Sequence, residues 1–313
     1  MTTREKQNLF RGIGFVGPNL VGFLVFTLVP VVFSFFLAFV RWDMFHTPQF
    51  VGFDNFARLL AEPKTWTFLF NTLFFMLGVP LSIAGSLFLA VMMSQKLRGL
   101  VAYRTIFYLP TVTNGVALFL LWKWLYNPKY GLVNSLLLSI ANAVGANVNI
   151  DTFPDWLRSG VDLPLLGMSF WAKPAIMFMG IWASIGGGNM ILYLAALANV
   201  PQELYEAGDI DGTSSWQRFR HITWPSISPT TFFISIMAVI GGLQGGFEVA
   251  YLMTNGGPGR DGDNTITMGY YIYREAFEKL DMGYASAIAW FLFLIVFVVT
   301  LVNWKYAKGQ EAD

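Results

Sequence analysis

Residues 197–225 read LANVPQELYEAGDIDGTSSWQRFRHITWP, a polar segment set between two long apolar stretches. Pro201 suits the first turn of a helix, and Glu203 and Glu206 follow where acids favour the positive end of the helix dipole. Asp211–Gly212 is a turn signal, because glycine takes positive φ without steric cost. Thr213 or Ser214 offers a cap for a second short helix through Phe219, and Pro225 permits a fresh helix start beyond it. The segment therefore predicts helix–turn–helix, with Leu204, Trp216 and Phe219 as apolar knobs. On the residues alone it fits an amphipathic loop packed on its own chain as well as a docking surface.

The flanks decide the solvent. Of 313 residues 55% are hydrophobic and only 12% charged, with a mean hydropathy of +0.53. A soluble domain carries about twice that charged fraction. Marking the charges leaves uncharged stretches at 12–40, 65–95, 105–122, 174–202, 222–247 and 282–304. About 20 apolar residues in a helix cross a ~30 Å hydrocarbon core. Spans are expected near 13–40, 69–94, 104–126, 171–198, 225–252 and 282–305, the third running through Lys123. Helix is the default because unpaired backbone groups cannot face lipid. The first stretch is too long for a signal-peptide core and lacks a small-residue cleavage site, so it reads as a retained span. The fold class is an all-α membrane protein with six transmembrane helices.

Orientation follows from the density of basic residues. Arg4, Lys6, Arg11, Lys96, Arg98, Arg104, Arg218, Arg220, Lys305 and Lys308 crowd short segments on one side, and the other basic residues are spread over longer loops. The positive-inside rule then puts both termini and the 199–224 loop in the cytoplasm. Trp42, Trp66, Trp122, Trp124, Trp171 and Trp304 stand near span ends, where interfacial rings are expected. The outer loops are 41–68, 127–170 and 253–281. Within the second, 131–140 (GLVNSLLLSI) is expected as a short interfacial amphipathic helix. The run of Gly256 to Gly259 marks a tight turn in the third.

Catalytic residues are scarce. His46 and His221 are the only histidines, and they fall on opposite expected sides. No paired-carboxylate cluster, metal-ligand set, GxSxG elbow or phosphate-binding GxxxxGK[ST] loop occurs. The absence of cysteine excludes disulfides, thiolate metal sites and Cys nucleophiles. A net charge of +1 with no basic run gives no nucleic-acid footprint. A chain of this kind that moves solute with ATP must borrow its hydrolysis.

Glu206-Ala207-Gly208, then Gly212, then Ile222-Thr-Trp-Pro225 resembles the EAA loop of binding-protein-dependent ABC importer permeases. Gly208 stands where that pattern has a second Ala, and Trp224 where Leu is usual. The longer LANVPQELYEAGDIDG resembles the carbohydrate-uptake branch. So do Val51-Gly-Phe-Asp-Asn55-Phe, Arg104 with Leu109-Pro110, Gly131-Leu-Val-Asn134, Leu252-Met-Thr254-Asn-Gly-Gly-Pro258 and Gly283-Tyr-Ala-Ser-Ala287. The ordered set covers residues ~10–305 and is most similar to maltose- and glycerophosphate-type members.

The resemblance implies a MetI-like helical bundle forming half of a heterodimeric pathway with a second, non-identical permease. Residues 1–66 would hold the tail, first span and outer loop, 67–305 a five-helix core with the 199–224 loop, and 306–313 a cytoplasmic tail. Two ATPase subunits, which bind ATP-Mg, would dock on the EAA loops, and an extracytoplasmic solute-binding protein would deliver the solute. This chain would bind no cofactor and carry no ATPase site, and it would sit in a bacterial or archaeal cytoplasmic membrane. Coupling falls to Glu203, Glu206, Ala207, Gly208, Asp211, Gly212, Trp216 and Phe219.

Sugars are neutral and rich in hydroxyls, so amides and aromatic faces in a concave site suit them. Asn189, Gln244, Phe247, Glu248 and Tyr251, beside Gly241, Gly242, Gly245 and Gly246, are the candidate pathway residues. Asn189 and Gln244 are equally read as hydrogen-bonding links between helices, and Glu248 as an interface residue. Lys123 is expected to snorkel outward. The alternative is a secondary carrier for a small neutral solute. It is disfavoured because the span interiors offer almost no ionisable groups apart from Glu248.

Overall fold

The computed structural model describes residues 3–95, 98–113, 115–146, 148–158, 162–163, 168–169, 171–257 and 263–310. Among them, five helices are long and apolar enough to cross a membrane. They are α1 (Gly12–Leu37), α3 (Pro63–Ser94), α7 (Ala172–Ala198), α9 (Ser215–Gln244) and α12 (Met282–Gln310, apolar through Asn303). Between α3 and α7 come α4 (Leu100–Val112), α5 (Gly115–Leu125) and the short α6 (Leu132–Ala143). The remaining helices are α2 (Asp54–Ala61), α8 (Gln202–Ile210), α10 (residues 247–254) and α11 (residues 268–278). Counted as one span, the pair α4 and α5 brings the total to six.

That third span is not straight. The two helices meet at 99°, where one helix over 104–126 was expected. Pro110 removes a backbone donor inside α4, and Thr113 already has extended dihedrals (φ −70, ψ 125), so the ladder ends there. The fifth span differs at both ends. Pro225 stands in the first turn of the α-helical stretch Trp224–Gln244, as expected, but that stretch continues without a break from Ser215. A π-helical turn at Phe219–Thr223 precedes it, with the Trp224 N–H donating to the Phe219 carbonyl, so the proline falls where its missing donor is harmless. The outer end breaks instead at Gly245–Gly246, where Gly246 has φ +90, before α10 resumes.

The chain divides into two compact units. One comprises residues 1–63 and 271–294. In it, α1 has no buried residue from 12 to 37, an apolar surface that only lipid or another apolar chain can cover. A hairpin follows, β1 (Val40–Arg41) paired antiparallel with β2 (Gln49–Phe50). Asp43 organises its tip. The His46 ring Nδ1 lies 2.6 Å from one Asp43 oxygen, and that hydrogen bond leads in lowering the carboxyl from 3.8 to about 2. Buried Asn55 donates to the carbonyls of Ala38 and Val40, both at 3.0 Å, closing the end of α1. A Cβ on Gly283 would stand 1.8 Å from that Val40 oxygen, so α12 starts where only glycine fits. Two of the family-like motifs thus meet in one joint. Arg58 completes it, bonding Asp281 at 2.8 Å with its guanidinium 3.9 Å above the Tyr284 ring.

The other unit holds residues 64–270 and 295–313. One core cluster gathers Leu87, Ala90, Met93, Met190, Tyr193, Ile227 and Ile234 from α3, α7 and α9. A second, towards the outer loops, includes Trp122, Tyr126, Ile176 and Met179. Trp122 is therefore no interfacial ring: it is 6% exposed and packs edge-on against Phe178 and Trp182. Hydroxyls inside the spans serve their own helices, as Thr72, Ser82 and Ser86 donate to carbonyls four residues back. The expected interfacial helix is α6. Its Asn134 is buried, donating to the Pro128 and Pro154 carbonyls and accepting from Trp156 at 2.7 Å. Lys96, Pro258, Gly259 and the tail from 311 onward lie outside the described residues, as do the side chains of the N-terminal tail.

Candidate functional site

The segment 201–223 forms a stiff elbow. Pro201 caps α8, and the turn that follows carries Gly212 at φ +71. Of the two candidate caps, Ser214 is the one used, in a reciprocal capping box with Gln217. Thr213 braces the turn instead, its N–H and Oγ1 both donating to the Gly208 carbonyl, at 2.9 and 2.8 Å. Gly208 is buried because α8 and α9 touch there. A Cβ would meet Thr213 Oγ1 at 3.0 Å, Ile222 Cδ1 at 3.3 Å and Arg218 Cγ at 3.5 Å. At the residue that departs from the EAA pattern, a side chain would make these neighbours yield by a few tenths of an ångström.

Two further links join α8 to α9. The hydroxyls of Tyr205 and Thr223 are 2.9 Å apart, and Asp209 pairs with Arg218. Glu206 has no part in this bracing: exposed on α8, it accepts from Gln202 Nε2 at 2.9 Å. Glu203, Ala207 and Asp211 are exposed beside it. Phe219 packs on the core cluster of α3, α7 and α9, and Trp216 stacks on it with centroids 5.7 Å apart. Trp216 (67% exposed) and Ile210 (87%) are consequently the apolar groups offered outward. Between α8 and α9 lies a recess of about 350 Å³ lined by Leu204, Ala207, Gly208, Gln217, Arg218 and His221, among others. Sequence reasoning named the knobs but missed Tyr205, Asp209 and Ile210. A tyrosine or acid in a short helix has no partner until the second helix folds back.

The candidate pathway residues separate into two places. Asn189 is half-buried in the first turn after the Gly186–Gly187 interruption of α7. Gln244 is exposed at the last residue of α9. Beyond the glycine break, Phe247 and Tyr251 stack at 5.5 Å, and the Tyr270 ring meets both edge-on at 5.8 Å. Glu248 Oε2 reaches the opening residue of α5, 3.3 Å from where a Gly115 Cβ would be, a placement that suits an acid. The glycines do make room: Gly241, Gly242, Gly245 and Gly246 line a cavity of about 200 Å³ between α3, α7 and α9. Its polar lining is Thr72, Ser82, Ser184 and Thr267, and none of the five candidates borders it.

Tyr251 instead borders an outer cavity of about 350 Å³ with Lys123, Asn127, Asp155, Arg158 and Asn255. Lys123 is turned towards Leu252, its Nζ 3.4 Å from that carbonyl, at this polar rim. Lys173, which the sequence places at the end of a span, is 1% exposed, with Nζ 5.5 Å from the Phe70 ring centroid. Asp155 and Arg158 carried no periodic signal, because irregular chain brings them to this cavity only in three dimensions.

With five to six helices long and apolar enough to cross a membrane among its described residues, the chain is a polytopic membrane protein in class. Residues 82–304 match the family of binding-protein-dependent transport system inner membrane components. The chain belongs to that family of ABC-importer membrane subunits, a conclusion that full-length relatives reinforce. The lactose transport system permease protein LacF of Rhizobium radiobacter is 34% identical, over 99% of this chain and 100% of that one. A probable ABC transporter permease, YesP of Bacillus subtilis, is also 34% identical, over 96% and 91%. The arabinooligosaccharides permease AraP of the same organism is 31% identical, over 96% and 89%. Among solved structures, a chain of the bacterial alginate ABC transporter in complex with alginate pentasaccharide-bound periplasmic protein superposes with a TM-score of 0.78. It is 23% identical, covering 96% of this chain and 94% of that one, a likeness of fold.

Proposed function

We propose that this permease subunit imports a sugar or a related polyol or glycoside, as half of a heterodimeric pathway. Two ATPase subunits holding ATP-Mg power it, and a solute-binding protein loads it from outside. Both termini and the 199–224 loop face the cytoplasm, in a bacterial or archaeal cell membrane. Residues 67–305 act as the transporting core, residues 1–66 as a peripheral first span with its outer loop, and 306–313 as a tail. The relatives named for lactose and arabinooligosaccharides support the substrate class.

The observation that carries the mechanism is mechanical continuity. Helix α8 is locked to α9 by Gly208 packing, the Tyr205–Thr223 contact and the Asp209–Arg218 pair, and α9 continues without a break into the membrane. A push on Trp216 or Ile210 by a closing ATPase therefore moves span five directly, and alternating access follows. The test uses the natural lack of cysteine. Ser215→Cys is exposed beside Trp216 and should cross-link to a co-purifying ATPase subunit, while resisting impermeant thiol reagents outside intact cells. Labelling from outside would overturn the orientation. Solute uptake by the purified chain alone, without ATPase, would instead establish the secondary carrier.

Asn189 and Gln244 are assigned to the solute path because their amides lie at the two glycine interruptions of α7 and α9. Asn189→Ala or Gln244→Ala is expected to weaken transport several-fold while assembly and basal ATPase activity persist. One hydrogen bond to a neutral ligand is worth about 0.5–1.5 kcal/mol, so abolition is not expected. Wild-type transport by both variants across a range of substrate concentrations would place the path elsewhere.

A further inference from the structure

A cleft of about 560 Å³ opens between α4 and α7 on the side of the membrane that carries the elbow. One helical turn before Met190 the two helices approach backbone to backbone, since a Cβ on Gly186 would lie 2.0 Å from the Phe107 carbonyl oxygen. Met190, Ile191, Leu194, Ala195 and Ala198 form one wall, and Arg104 and Tyr108 the other. Met190 to Ala198 spans about 12 Å of helix rise, the depth of a headgroup and the first acyl carbons. The α7 wall is apolar throughout, and α4 adds a cation, Arg104, and the hydroxyls of Thr105 and Tyr108.

Arg104 is fixed in place, because its Nη2 donates to the Met93 carbonyl at 2.9 Å. The remaining N–H groups of its planar fork are exposed at the mouth, in the geometry that pairs with phosphate oxygens. Exposed Arg98 stands at the same end, and residues 95–104 contain no acid to offset the two charges. An apolar cleft between two spans is filled by acyl chain, not water, and a basic rim on such a cleft favours an anionic headgroup.

We propose that this cleft is a binding site for an anionic phospholipid of the leaflet on the elbow's side, with the phosphate on Arg104 and an acyl chain along Ala195 and Leu194. Occupancy would brace α4 against α7 next to the elbow, independently of which solute is carried.

The test is native mass spectrometry of the intact complex, released from bilayers with equal phosphatidylglycerol and phosphatidylethanolamine. Wild type should retain phosphatidylglycerol in preference. Arg104→Gln should cut that preference about fivefold. Ala195→Trp leaves the arginine and its Met93 contact in place but fills the cleft, so it should release the lipid. Equal retention of the two lipids by wild type would overturn the proposal, as would undiminished phosphatidylglycerol on Ala195→Trp. A cysteine at Ala198 that cross-links to the partner permease would also overturn it, because the cleft would then be a protein interface.

Discussion

Gly212→Val should insert and keep its partner permease, yet lose its ATPase subunits or their stimulation by loaded binding protein. The reason is conformational, not steric. Gly212 holds φ +71, where a β-branched residue is severely disfavoured, and nothing lies within 4 Å of a Cβ placed there. Open space makes the position unusually diagnostic. Asn tolerates the left-handed region, so Gly212→Asn should retain most of the coupling that Gly212→Val loses. Distortion of the turn would break the two hydrogen bonds from Thr213 to the Gly208 carbonyl and swing Trp216 away from its partner. Co-purification and ATPase activity in nanodiscs provide the measurement. Full coupling in the valine variant would remove the elbow from the mechanism.

The second large effect is on assembly. Gly186→Val puts a Cβ 2.0 Å from the Phe107 carbonyl oxygen, a clash of backbone with side chain that no rotamer relieves. Overpacking of this kind costs about 1–3 kcal/mol when neighbours can shift, and here the neighbour is helix α4 itself. Folded yield and thermal stability in detergent should fall sharply. Gly180, six residues earlier in α7, has nothing within 4 Å of a Cβ, so Gly180→Ala should be harmless or slightly stabilising. Equal stability of Gly186→Val and Gly180→Ala would mean that α4 and α7 do not meet in this way.

Much of the candidate site was legible before any fold. Asp211–Gly212 marked the turn, Ser214 was one of two caps named, and Trp216 and Phe219 were picked out as apolar residues on a polar segment. Their division of labour was not legible, because Phe219 faces the bundle core and Trp216 faces outward only once α9 continues into the membrane. Glu206 shows the limit from the other side. The sequence leaves it either to brace the turn or to meet a basic group on a partner; it is exposed, and the turn is braced by Thr213, whose hydroxyl donates to the Gly208 carbonyl.

The amino-acid sequence by itself determined the solvent, the spans and the polar elbow, because exclusion of charge from hydrocarbon acts on every residue of a stretch and leaves a pattern in one dimension. Tertiary structure alone decided the bend after Pro110, the passage through Pro225 and the burial of Trp122 and Lys173. It also decided that Gly186, Gly208 and Gly283 are contact points between chain segments. A proline breaks, bends or opens a helix depending on what packs beside it, and a glycine becomes indispensable where another backbone comes within reach of its missing Cβ, as at Gly186 and Gly283 but not at Gly208, where only side chains approach.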